Sequence, residues 1–116
     1  MQTPKFRVEF LEEAADFLDS LNERVRDKII YNITKARFSS DKDLFKKLNN
    51  EIWEFRALIN KTHYRLFAFW DKSERGETLV ITTHGLIKKT DKIPKGDLEK
   101  AERLRKKYLH HKDNDR

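Results

Sequence analysis

Hydrophobic and polar positions alternate from Lys5 to Phe10, with Phe6, Val8 and Phe10 on one side and Lys5, Arg7 and Glu9 on the other. That period of two predicts a half-buried strand. The period then changes. Leu11, Ala14, Ala15, Leu18 and Leu21 recur at helical spacing with acids between them, and Val25, Ile29, Ile33 and Ala36 continue at steps of four, four and three. Asn22 interrupts the two runs and is placed to cap the second helix. So short a link predicts an antiparallel helix hairpin. Ser39-Ser40-Asp41 reads as a loop, and Leu44 to Leu48 as a short amphipathic connector. Three strand-like runs follow: Ile52 to Leu58, His63 to Asp71 and Thr78 to His84. The turns between them, at Asn60-Lys61 and Ser73 to Gly76, are short enough to force antiparallel neighbours. Pro94 suits the first turn of a last helix, whose apolar stripe is Leu98, Ala101, Leu104 and Tyr108.

The expected order is β-α-α-β-β-β-α. The expected fold is α+β, with one mainly antiparallel sheet packed against the N-terminal helix hairpin and its opposite face open to a ligand. Residues 1–109 read as a single domain and residues 110–116 as a polar C-terminal tail. A chain of 116 residues can bury one core. Charged residues make up 40%, yet eight Phe, three Tyr and two Trp argue against global disorder. With no cysteine, disulfide frameworks and Cys-based zinc sites are excluded. No apolar run approaches membrane-spanning length, and a cytoplasmic location is the expectation.

Charge sharpens the picture. The net charge is +6, which favours a polyanionic partner. Up to Asn50 there are ten Lys/Arg against nine Asp/Glu, so the excess lies in the half that carries the strands. Alternation places Arg56, Arg65 and His84 on the polar sides of three successive strands, with Phe67 and Phe69 beside Arg65 and with Val80 and Thr82 beside His84. Lys88-Lys89 follows. Two arginines on adjacent strands can hold a phosphate bidentately; either alone is an ordinary partner for an acid such as Glu54 or Glu51. His84 can move protons or simply bond a buried carbonyl. Phe67 can stack on a base or fill a second core under the last helix. Tyr108 can donate a proton or pack. His110-His111 makes no metal site, because adjacent helical residues diverge, and the three scattered glycines form no phosphate loop.

The ordered set Lys47-Leu48, Trp53-Glu54-Phe55-Arg56, Tyr64-Arg65, His84-Gly85-Leu86-Ile87-Lys88-Lys89, Ile93-Pro94 and Ala101 resembles the HigB-like branch of the RelE/ParE toxin superfamily. The resemblance covers nearly the whole chain. Phe55 and Leu86 are apolar exchanges within the pattern, Ile93 replaces the usual Thr, and Asp97-Leu98 fills an "E-I" position. The resemblance implies the toxin of a type II toxin–antitoxin pair, a ribosome-dependent mRNA endoribonuclease that uses the RNA 2′-hydroxyl as nucleophile and needs no metal or cofactor. Its partners would be a cognate antitoxin, the ribosome and mRNA, with no membrane. Arg56, Arg65, His84 and Lys88 would be the catalytic groups, with Arg65 on the open sheet face. Lys47, Phe67, Lys89 and Lys92 would contact RNA. A ParE-like inhibitor of DNA gyrase and a plain basic nucleic-acid-binding module are the alternative readings.

Overall fold

The computed structural model describes residues 2–73, 78–88, 92 and 95–114. The chain runs β1 (Arg7–Phe10), α1 (Glu12–Ser20), α2 (Glu23–Ala36), β2 (Phe45–Lys47), β3 (Trp53–Ile59), β4 (Thr62–Asp71), β5 (Leu79–Lys88) and α3 (Lys95–Asn114). The strands form one sheet in the order β1-β5-β4-β3-β2. Only the β1–β5 pair is parallel among the described strands; the rest are antiparallel. The architecture is α+β, as the sequence pattern predicts.

The helix hairpin forms for the expected reasons. The Asn22 side chain accepts from the backbone N–H of Val25 at 2.9 Å, capping α2. Ala14 and Leu18 of α1, and Ile29, Ile33 and Ala36 of α2, are buried against the sheet. Phe6, Phe45, Phe55 and Leu66 meet them from the sheet side. Phe45 stacks on Phe55 with 4.3 Å between ring centroids. The β3–β4 hairpin turns on Asn60 and Lys61, whose φ values of 51° and 65° are those of a two-residue turn matched to strand twist.

Four expectations change. The Leu44–Leu48 connector contains an edge strand, β2, because Phe45 stacks into the core and its backbone pairs with Phe55. The second sheet face is not open throughout. A second core of Ile52, Phe67, Phe69, Leu79, Ile81 and Ala101 lies there, with Leu98 and Tyr108 of α3 packed on it. The third change concerns β5. Phe67 pairs with His84 but Ala68 pairs with Thr82, so Thr83 is the extra residue of a bulge. The bulge reverses the faces on either side of it. His84 shares a face with Leu79 and Ile81, while Val80 joins the hairpin core. Alternation without the bulge puts Val80 and Thr82 on the wrong side. α3 also continues through Asn114, well into the polar tail.

Candidate functional site

Cross-strand partners share a sheet face. On the second face, β3 presents Glu54, Arg56 and Leu58, β4 presents His63, Arg65 and Phe67, and β5 presents His84, Leu86 and Lys88. Arg56 stands directly opposite Arg65, and His63 directly opposite Lys88. The four proposed catalytic residues therefore occupy one face.

Their environments differ. The Arg65 side chain is 3% exposed and its Nε lies 3.1 Å from Glu54 Oε1. Glu54 is 2% exposed, and its other oxygen lies 3.7 Å from Arg56 Nε. Arg56 also donates to the carbonyl of Lys42 at 3.3 Å, and its side chain is 17% exposed. Of the two arginines, Arg56 is the one solvent reaches. The expectation that Arg65 lies on open surface is corrected: burial makes it the inner member of a carboxylate-centred pair. Around the outer member lies a pocket of about 280 Å³ lined by Asn32, Asp43, Arg56, Ala57, Leu58, His63 and Arg65.

His84 is also buried. Its ring stacks on Phe67 at 4.9 Å between centroids. Its Nε2 lies 3.1 Å from Asp97 Oδ1, and Thr83 Oγ1 lies 2.9 Å from its Nδ1. Burial pushes the imidazole below its ordinary pKa, while the Asp97 hydrogen bond acts the other way without overcoming it. Neutral His84 has one N–H. A carboxylate only accepts, so Nε2 carries it and Nδ1 takes the Thr83 hydroxyl. This histidine ties α3 to the sheet.

Of the residues expected to contact RNA, Phe67 and Lys47 do not join the Arg56 pocket. Phe67 is 1% exposed in the second core, so it offers no base a stacking surface. Lys47 pairs with Trp53, which puts it on the opposite sheet face from Arg56. Lys92 is exposed, and Lys89 lies outside the described residues. Two residues were missed. His63 lies two positions before Arg65 on the same strand face, so extending the alternation back would have found it. Lys46, opposite Glu54, became legible only once β2 was a strand.

A larger cavity of about 550 Å³ lies between α1, the Thr83 bulge and α3, and its lining carries both signs of charge, with Glu12 and Glu13 from α1 and Lys107 and Lys112 from α3. Among the described residues, no group of His, Cys, Asp and Glu is arranged to hold a metal. No described helix is long and apolar enough to cross a membrane.

A helix hairpin on one face of a five-stranded sheet, with a basic cluster on the other, is consistent with a RelE-like fold. Residues 16–106 match the family described as phage derived protein Gp49-like, and the chain belongs to that family. It is a phage-derived, toxin-like family of the RelE/HigB-like kind. No curated protein matches the chain.

Proposed function

We propose that this protein is the toxin of a type II toxin–antitoxin pair and cleaves mRNA on the ribosome. The observation that carries this reading is the Arg56–Glu54–Arg65 cluster, with His63 and Lys88 beside it on the same sheet face. Glu54 holds two guanidinium groups that would otherwise repel, so the outer one is pre-oriented toward the pocket. Pre-oriented charge stabilises a phosphorane without reorganisation during the reaction.

The nucleophile is the RNA 2′-hydroxyl. Its oxygen attacks the adjacent phosphorus, the P–O5′ bond breaks, and the products carry a 2′,3′-cyclic phosphate and a 5′-hydroxyl. A base takes the 2′ proton and an acid protonates the leaving 5′ oxygen. Attack within one nucleotide starts at high effective concentration, so a spare set of protein groups suffices. In this scheme Arg56 contacts the phosphate, Arg65 positions it through Glu54, Lys88 adds positive charge, and Lys89 and Lys92 stay as candidate contacts to RNA. His63 lines the pocket and moves the proton. His84 secures α3 instead, since its ring nitrogens are occupied by Thr83 and Asp97. The natural inhibitor would be an antitoxin with acidic segments, drawn by the net charge of +6.

Induction of the chain alone should arrest growth. Primer extension on a reporter with and without its start codon should show cuts only in the translated message. Equal cuts in the untranslated reporter would remove ribosome dependence. Gyrase-trapped DNA breaks with intact mRNA would replace this reading with a ParE-like one.

A further inference from the structure

The first half of the chain is nearly neutral, yet one helix in it is not neutral on every side. Arg24, Lys28, Tyr31 and Lys35 are spaced by four, three and four residues, which aligns them in a single stripe along α2. All four are exposed. Tyr31 is 55% exposed, so much of its ring faces solvent. The ammonium groups of Lys28 and Lys35 lie 5.3 and 5.4 Å from its centroid. Cations at that distance from an aromatic ring are attracted to it. The ring is thus held on the surface by one lysine a turn before it and another a turn after.

The stripe also has a direction. At 100° per residue, it lies on the flank of α2 that carries Asn32. Asn32 donates to the carbonyl of Arg56 at 3.4 Å and lines the Arg56 pocket. A second groove, of about 710 Å³, runs from Arg24 and Lys28 to Leu58 and Asn60. Leu58 is 60% exposed and lines both cavities. The acids facing this path are Asp27 in the groove and Asp43 in the pocket. Arg24 and Lys28 line the groove, and Arg56, His63 and Arg65 line the pocket.

We infer that the exposed stripe of α2 is a binding platform for single-stranded RNA, on which a base stacks on Tyr31 while Arg24, Lys28 and Lys35 hold flanking phosphates, and from which the strand continues over Leu58 to Arg56. This rests on the reading of the protein as one that acts on RNA, and it adds a second region of RNA binding to that site. An aromatic ring accepts any base, whereas lysines follow the backbone, so the platform binds without sequence preference. A duplex keeps its bases stacked on one another and cannot use Tyr31.

The test is fluorescence anisotropy of a labelled 12-nucleotide single-stranded RNA with the purified full chain, without ribosomes. Tyr31→Ala should weaken binding about ten-fold, and Tyr31→Phe should retain it. Lys28→Ala with Lys35→Ala should weaken binding and flatten its salt dependence, by about 0.7 in log–log slope for each phosphate no longer neutralised. Circular dichroism verifies that each variant is folded. Wild-type binding that Tyr31→Ala leaves unchanged overturns the proposal. So does equal affinity for a duplex of the same length, or binding of polyglutamate but not RNA. Because no cleavage is read, failure of the nuclease reading appears separately, as an uncut translated reporter.

Discussion

Arg56 and Arg65 face each other across β3 and β4, and like charges so placed repel. Glu54 resolves the conflict, and the burial of each group decides what its removal does. Glu54→Ala takes the carboxylate from a guanidinium that is 3% exposed, and breaking a buried pair in this way costs about 3–5 kcal/mol. Arg56→Ala leaves the inner pair intact and should change stability by less than about 1 kcal/mol. Its cost falls on chemistry. Loss of a charge-assisted phosphate contact should slow cleavage by about two to three orders of magnitude. Urea unfolding and reporter cleavage, measured on both variants, separate the two roles. A Glu54→Ala protein as stable as Arg56→Ala would show that the buried pair is not structural. Arg65→Ala belongs with Glu54, since it leaves a carboxylate in the interior beside the more distant Arg56.

Among the elements, β5 carries the information that pattern alone could not supply. The glycine after His84 pairs with Leu66, on the sheet face that carries the helix hairpin. Its neighbour there is α1: a Cβ on Gly85 would overlap the ring of Phe17. Gly85→Ala should therefore destabilise the protein by about 1–3 kcal/mol, through overpacking of α1 on β5. Pairing it with Phe17→Leu should recover part of that loss, and a double-mutant cycle in urea reads the coupling. Additive effects would mean that α1 yields freely. The hairpin, the three long strands and α3 were all legible, because each repeats one period over many residues. The Thr83 bulge was not, because a single inserted residue leaves the composition of both strand faces reasonable while exchanging them. β2 was hidden for a related reason: three residues are too few for alternation to show. The candidate site was half legible. Alternation placed Arg56, Arg65 and His84 on the polar sides of their strands, and Lys88 entered only through the lysine pair that follows the third strand; burial, which separates Arg56 from Arg65 and His84, is set by α3 and by Glu54 across the sheet.

For the whole molecule, α3 closes the second core and is pinned by polar contacts toward both of its ends. Asp97, in its first turn, holds His84. Toward its C-terminus, Tyr108 and Lys112 both donate to Asp71 Oδ2, at 2.6 and 2.7 Å. Titration of these contacts sets the pH range in which the molecule is stable. Burial alone would raise the Asp71 pKa, but the hydrogen bonds from Lys112, Ser73 and Tyr108 outweigh it and hold the carboxyl well below its ordinary value of 3.8. Burial, with the Asp71 bond, pushes the Tyr108 hydroxyl from 10.0 up to about 12. A depressed pKa contributes stability above the unfolded value and loses it as pH falls; a raised one contributes below the unfolded value and loses it as pH rises. His84 should therefore begin to weaken the fold as pH drops below 6.5, and Asp71 should add to the loss below 3.8. On the alkaline side Tyr108 should weaken it between pH 10 and about 12. Thermal melts from pH 3 to 12 should trace a plateau between about 7 and 10 with a fall on each side. Tyr108→Phe keeps the ring that meets Phe69 edge-on at 5.4 Å but removes the ionising hydroxyl, so it should lower the plateau and flatten the alkaline limb. Asp71→Asn should flatten the limb below pH 4. If the alkaline limb of Tyr108→Phe is as steep as that of the wild type, the Tyr108–Asp71 contact does not set the upper limit.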